Sequence, residues 1–257
     1  MVQQPAGANP RLVLVGTGVM GTAILTGLRE RSGRDWDVVV VDAAPGRAAA
    51  LAAELGVAHA ESVAEAAEGA DAVLIATKPK DVAGVLADLA ALGPGTAVVS
   101  VAAGLRTAYY EARLPAGVPV VRVMPNTPAT IGRGISAISA GAHADESHLE
   151  LVEELLGATG AVVRVAEKDQ DAVTAISGSG PAYVFYLIDA LAEAGVLLGL
   201  TRELATELAT QTVLGSAALV AETGEHPAVL RERVSSPGGT TVAAPVSYTH
   251  LTLPTNA

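Results

Sequence analysis

Cysteine does not occur in the 257 residues. Disulfides, thiolate nucleophiles and cysteine-ligated metals are therefore excluded. Aromatic residues make up 3% of a chain that is 50% hydrophobic, so any core is built from Ala, Val and Leu. Such a core suits parallel strands packed against alanine-rich helices. Positive charge is scarce: lysine stands only at Lys78, Lys80 and Lys168, and the formal net charge is −11. No basic face can form to neutralise phosphates along a duplex, which excludes nucleic acid as a partner. The chain also lacks a G-x-S-x-G nucleophile elbow and a P-loop. Its histidines are scattered. The one close pair, His143 and His148 beside Asp145 and Glu146, reads as solvated surface, and no metal is expected.

Residues 1–10 have neither a basic patch nor an apolar core, so no signal peptide is expected. The most apolar stretch, residues 182–200, is interrupted by Asp189 and Glu193. Those carboxylates argue for a buried interface helix rather than a membrane span. A cytoplasmic protein with no membrane partner is the expectation. With no side-chain nucleophile in evidence, enzymatic reactivity would have to come from a bound cofactor, the protein supplying orientation and hydrogen bonds.

What is present begins at residues 11–21. Four apolar residues, 12–15, read as a buried strand; Gly16, Gly18 and Gly21 then fall at G-x-G-x-x-G spacing, ahead of a helical run. Gly16 permits the tight turn, Gly18 lets a pyrophosphate approach the backbone, and Gly21 allows close helix–strand packing. The helix N-terminus offers free N–H groups and a positive dipole end. A second strand over 36–41 ends at Asp42, about where a Rossmann fold contacts the adenosine ribose, unless Asp42 merely closes a strand. Arg47 opens the next helical run and would meet a 2′-phosphate, so this turn points to NAD and to NADP at once.

Strands and short helices then alternate, with strands over 71–76, 97–101, 118–124, 134–140 and 161–165. That alternation predicts right-handed βαβ units and a parallel sheet. Ligands of such sheets lie beyond the strand carboxyl ends, which singles out Ala76, Thr77, Lys78 and Pro79, and also Ala102, Ala103 and Gly104. Pro125-Asn126-Thr127-Pro128 is a stiff turn, either a plain loop or a substrate-side wall. The domain boundary is expected at residue 166, after which the pattern is helical: a long apolar helix over 182–198, begun by Pro181, and another over 203–222. So much apolar helical surface should be buried against a partner subunit. Residues 234–241, Val-Ser-Ser-Pro-Gly-Gly-Thr-Thr, form an exposed turn followed by hydroxyls, either an anion nest or a helix linker.

Together these motifs resemble pyrroline-5-carboxylate reductases. The resemblance is carried in family order by residues 15–21, 76–79, 101–104, 124–128, 171–183, 222–227 and 234–241, and the last three stretches are the specific ones. It implies an α/β fold, an N-terminal Rossmann-type parallel sheet domain over 1–166 followed by an all-α dimerisation and substrate domain over 167–244. It implies an oxidoreductase of proline biosynthesis that reduces the C=N bond of 1-pyrroline-5-carboxylate to give L-proline. NADP(H) is the implied cofactor, with NAD(H) as a second. The cofactor residues would be Val15, Gly16, Thr17, Gly18, Val19, Met20, Asp42, Arg47, Ala76, Thr77, Lys78, Pro79, Ala102, Ala103 and Gly104. The substrate carboxylate would meet Ser236, Gly238, Gly239, Thr240 and Thr241; Thr241 matches the threonine that faces the imine nitrogen, and Glu167 matches a substrate-site acid. A homodimer or larger homo-oligomer is implied.

Three departures from the family pattern stand out. The turn after the second strand reads Asp42-Ala43-Ala44-Pro45 where a hydroxyl or amide commonly holds a 2′-phosphate, and Val63 stands where an asparagine is frequent. Residues 245–257 resemble nothing in the family, which continues with amphipathic helix, and are expected to be a foreign end. Two rival readings are a β-hydroxyacid dehydrogenase and a non-catalytic dinucleotide sensor. The first relies on a lysine in its helical domain, and none follows Lys168; the second has no need of a substrate-carboxylate loop.

Overall fold

The computed structural model describes residues 9–237 and residue 239. These fall into two compact units, one ending at Gly178 and the other beginning at Ser179.

The first unit is a twisted sheet with helices on both faces. Its elements in chain order are β1 (Arg11–Val15), α1 (Val19–Arg31), β2 (Asp37–Val41), α2 (Arg47–Leu55), β3 (Ala58–His59), α3 (Val63–Ala67), β4 (Ala72–Ile75) and α4 (Val82–Asp88). Then come β5 (Ala97–Ser100), α5 (Thr107–Glu111), β6 (Val120–Met124), β7 (Gly134–Ala140), α6 (Glu146–Gly157), β8 (Gly160–Arg164) and α7 (Gln170–Val173). The eight strands lie in the order β3-β2-β1-β4-β5-β6-β7-β8. Apolar residues line both faces because successive side chains in a strand point to opposite sides. Val13, Val15, Val39, Val41, Val73 and Ile75 pack on α3 and α4, whereas Leu12, Leu14, Val38, Val40 and Leu74 pack against Ile24, Leu25 and Leu28 of α1.

The expected parallel sheet needs one correction: β7 runs antiparallel to β6, while β8 returns parallel to β7. Between β6 and β7 the chain has room only for a short 3-10 turn, Thr127–Ile131. A parallel return needs a crossover of a dozen or more residues, which α6 supplies between β7 and β8. Two elements were not anticipated, the two-residue strand β3 and the short helix α5. His148 completes a capping box at α6, accepting the Asp145 N–H while the Asp145 carboxylate accepts the Ser147 and His148 N–H groups.

The helical stretch begins at Glu167, as expected, while packing divides the two compact units further along, at Gly178. Residues 167–178 stay with the sheet. Gln170, fully buried on α7, donates to the Ser139 hydroxyl at 2.8 Å and the Ala137 carbonyl at 3.3 Å, and Glu167 accepts from Thr107. Helical pattern alone cannot reveal which neighbour a short helix is tied to.

The second unit contains α8 (Gly180–Leu197), α9 (Arg202–Thr223) and α10 (Pro227–Arg233). α8 and α9 form a hairpin around Ala192, Ala205 and Ala209; a side chain on Gly195 would stand 2.9 Å from the Ala205 methyl, so glycine sets how closely they approach. The stretches Glu167–Leu197 and Arg202–Thr223 are long and apolar enough by composition to cross a membrane. In the isolated chain Phe185, Tyr186, Leu197 and Leu214 are all exposed.

Gly160 starts β8 at φ +140, and a Cβ there would strike the Gly134 carbonyl oxygen across the β7–β8 pairing. Gly160→Ala is expected to cost at least about 2 kcal/mol of stability, read from the midpoint of denaturant unfolding.

Candidate active site

The carboxyl ends of β1, β2 and β4 open into a cleft of about 860 Å³. The glycine turn after β1 shapes its floor. Gly16 adopts φ +101, donates its N–H to the Val41 carbonyl at 2.8 Å, and lies so near β4 that a Cβ would stand 2.9 Å from the Ala76 carbonyl carbon. A Cβ on Gly21 would collide with the Gly16 carbonyl oxygen, so α1 crosses the end of β1 only because that side chain is missing. Gly18 behaves differently: a Cβ there would meet nothing within 4 Å. It is the N-cap of α1 and provides no side-chain cap, so the first-turn N–H groups are left for a ligand.

A polar tie joins this turn to β2. The Asp42 carboxylate accepts the Thr17 N–H at 2.7 Å, the Thr17 hydroxyl at 2.6 Å and the Ala44 N–H at 2.8 Å. Arg47 donates to the Thr17 carbonyl at 2.9 Å. Burial opposes ionisation of Asp42, yet the hydrogen bonds from Thr17 and Ala44 and the nearby Arg47 charge outweigh it and hold the carboxyl below the usual carboxylate range. On the β4 side the Thr77 hydroxyl is buried with no hydrogen-bond partner, a group that a ligand would satisfy.

The structure thus brings Val15, Gly16, Gly18, Asp42, Arg47, Ala76, Thr77 and Lys78 to one cleft. Thr17 acts beneath them through Asp42. Val19, Met20 and Pro79 are not among the lining residues; the first two begin α1, and Pro79 begins a 3-10 turn, Pro79–Asp81, after β4. Ala102, Ala103 and Gly104 lie one strand further along, after β5, also outside the lining. Sequence reasoning missed Glu61, Ser62, Asp81 and Asp88, which also line the cleft. Ser62 caps α3 by accepting the Glu65 N–H, and that S-x-x-E spacing was the available signal of a helix start at a strand end. Val63 is buried at the first position of α3.

A buried polar network lies next to the cleft. Ser100 and Tyr110 share a 2.6 Å hydrogen bond, and the Ser100 hydroxyl accepts the Ala102 N–H at 3.2 Å. Burial raises the Tyr110 pKa, keeping it a neutral hydroxyl. Beyond the loop, Thr107 donates its N–H to Glu167 at 2.6 Å and its hydroxyl to the other carboxylate oxygen at 3.0 Å. Buried Arg122 on β6 stands 3.7 Å from Glu167 and 3.6 Å from Asp171. The loop bearing Ala102, Ala103 and Gly104 is therefore anchored at both ends. Both oxygens of Glu167 serve this anchor, so the residue expected to meet substrate is engaged here in holding α5 and residues 167–178 to the sheet. Asn126 of the stiff turn donates to the Ser177 carbonyl at 3.1 Å and accepts the Ile135 N–H at 2.9 Å. It thereby secures a π-helical turn, Thr174–Gly178, in which a Cβ on Gly178 would stand 2.6 Å from the Met124 methyl.

In the second unit, after α10, Gly239 donates its N–H to the Ser236 carbonyl at 3.0 Å. Gly238, Thr240 and Thr241 lie outside the described residues.

Residues 167–252 match the family model described as pyrroline-5-carboxylate reductase dimerisation, and residues 11–104 match one described as NADP oxidoreductase coenzyme F420-dependent. A pyrroline-5-carboxylate reductase from Mycobacterium tuberculosis is 43% identical over 91% of this chain and 87% of its own length. This chain belongs to the pyrroline-5-carboxylate reductase family. Among solved structures, a pyrroline-5-carboxylate reductase from Coxiella burnetii superposes with a TM-score of 0.86 at 34% identity, covering 94% of this chain and 90% of that one. The pyrroline carboxylate reductase of Plasmodium falciparum, solved with NADP bound, gives 0.81 at 28% identity, covering 93% of this chain and 89% of that one. The reductase dimerisation match includes α8 and α9, whose exposed apolar residues are what a dimer would cover. It also runs to residue 252, past the residue 244 at which the resemblance was expected to end.

Gly18→Ala is expected to cost no more than about 1 kcal/mol of stability, through loss of the glycine N-cap, since its Cβ meets open space, while weakening dinucleotide binding at least about tenfold by calorimetric titration. Arg122→Met leaves the Glu167 and Asp171 charges without their buried partner. Because both carboxylates are partly solvated, the cost is expected at about 2 kcal/mol in denaturant unfolding.

Proposed function

We infer that this chain catalyses the reaction of its family, the reduction of 1-pyrroline-5-carboxylate to L-proline, the final step of proline biosynthesis. The single observation that supports this most is the near full-length identity of 43% to a reductase that acts on that substrate. The cleft is consistent with it, because an open Gly18, an uncapped α1 and an unpaired Thr77 hydroxyl fit a dinucleotide. The cofactor is NADP(H), with NAD(H) accepted as well. When bound, it supplies a hydride to the carbon of the C=N bond.

The rest of the chemistry belongs to the chain's own residues. The α1 N-terminus holds the pyrophosphate, and Asp42 and Arg47 face the adenosine ribose. Ser236, Gly238, Gly239 and Thr240 are assigned the substrate carboxylate on the family resemblance, with the Gly239 N–H itself committed to the Ser236 carbonyl. The Thr241 hydroxyl orients the imine nitrogen and relays to it a proton taken from water, so that addition at carbon and protonation at nitrogen together convert C=N to CH–NH. Glu167 contributes from a distance by fixing the loop before α5. The active form is a cytoplasmic homodimer or larger homo-oligomer assembled through the helical unit.

Purified protein is expected to oxidise NADPH in the presence of pyrroline-5-carboxylate and to release proline; absence of turnover with either nicotinamide would sink this reading. Thr241→Ala is expected to lower kcat by about a hundredfold with cofactor affinity retained, measured by steady-state kinetics alongside titration.

A further inference from the structure

The carboxyl end of β5 carries a buried pair of hydroxyls that takes no part in binding or proton transfer. Tyr110 of α5 is fully buried, and its phenol oxygen lies 2.6 Å from the hydroxyl of Ser100, the last residue of β5. Ser100 is equally enclosed and accepts the Ala102 N–H at 3.2 Å. Burial keeps Tyr110 neutral, so the contact joins two uncharged groups with no solvent to compete for it. An unpaired hydroxyl here would carry the full cost of desolvation, so α5 is favoured only where Tyr110 meets Ser100.

The loop held in this way is not used for packing at its tip. Ala103 and Gly104 are exposed, and Gly104 adopts φ +80 with nothing within 4 Å of an added Cβ. β5 neighbours β4, and the Val101 N–H donates to the Ile75 carbonyl at 3.1 Å. The loop therefore sits beside Ala76, Thr77 and Lys78 at the edge of the cleft. A dinucleotide with its adenosine at β2 and its pyrophosphate at α1 runs past β4 toward β5, bringing its reacting ring to this loop.

We propose that Tyr110 is a positioning residue for hydride transfer: through Ser100 it fixes the loop of Ala102, Ala103 and Gly104, and with it the orientation of the nicotinamide ring, without touching cofactor or substrate. The proposal rests on the reductase reading for the reaction it serves. A misplacement of about 1 Å between bound reactants can cost about a hundredfold in rate.

The test uses the full chain carrying Tyr110→Phe, which removes the hydroxyl and keeps the ring in its apolar surroundings. With rates referred to the folded fraction by circular dichroism, kcat for pyrroline-5-carboxylate reduction is expected to fall at least about tenfold, while the Kd for NADPH stays within about twofold. The fluorescence emission of bound NADPH, recorded without substrate, is expected to shift, because the ring no longer has one fixed environment. Tyr109→Phe removes a phenol hydroxyl from the same helix and keeps the ring contacts with Tyr110 and Arg113. It is expected to change none of these readings. An unchanged kcat in Tyr110→Phe, or one that falls only in step with NADPH affinity or with Tyr109→Phe, overturns the proposal. If Tyr110→Phe fails to fold, Ser100→Ala, which takes away the acceptor of the Ala102 N–H, is read in the same way. Wild-type protein that binds NADPH yet forms no proline would count against the reductase reading, and the emission comparison then decides the role of Tyr110.

Discussion

The contact between α1 and the end of β1 is the constraint on which the cofactor side of this protein depends. A helix axis brought so near a strand end leaves no room for a Cβ at Gly21, whose place is taken by the Gly16 carbonyl, or at Gly16, which faces the Ala76 backbone. Meeting that steric condition has three consequences. It presents the uncapped start of α1 to the cleft, leaves Gly18 open to it, and carries Thr17 to within hydrogen-bonding distance of Asp42. The turn, the helix dipole and the polar tie to β2 are thus one arrangement.

A second constraint operates at β6. Arg122 is a nearly fully buried cation in the middle of an aliphatic sheet, and such a charge persists only where carboxylates reach it. Those carboxylates come from residues 167–171, which is why this segment packs with the sheet although its helical pattern continues into α8. The same network anchors the loop between β5 and α5 at both ends, through Ser100 and Tyr110 on one side and Glu167 and Thr107 on the other. Asn126 makes a comparable connection from the β6–β7 turn to the π-helical turn before α8. Polar side chains here hold positions that an aliphatic, aromatic-poor core cannot, because hydrogen bonds specify position where packing of Ala and Val does not.

The helical unit shows the opposite pattern. α8 and α9 bury little beyond three alanines against each other and leave large apolar side chains such as Phe185, Tyr186 and Leu214 exposed. Their length and apolarity alone would equally suit a membrane, and the family to which this chain belongs assigns the surface to dimerisation. Charged residues within them, Asp189 and Glu193, fit that assignment; Glu193 pairs with Arg202 at 2.7 Å at the exposed turn between the helices.

Sequence by itself determined the alternation of strands and helices, the position of the glycine turn, the acidic residue after β2 and the family, because each depends on local spacing or on an ordered series of motifs. It also pointed to Ala76, Thr77 and Lys78, which line the cleft, since strand carboxyl ends face ligands in any open parallel sheet. Only tertiary structure decided the rest. The reversal of β7 comes from a connection too short for a crossover, and the two-residue β3 exists only because β2 is there to pair with it. Glu167 was readable as a carboxylate near a substrate but not as the partner of Thr107, 60 residues away. Asp42 and Thr17, 25 residues apart, become one group through hydrogen bonds that no spacing rule encodes. Periodicity and motif order are local properties, whereas the partners that occupy a buried charge or a polar side chain are chosen by the fold.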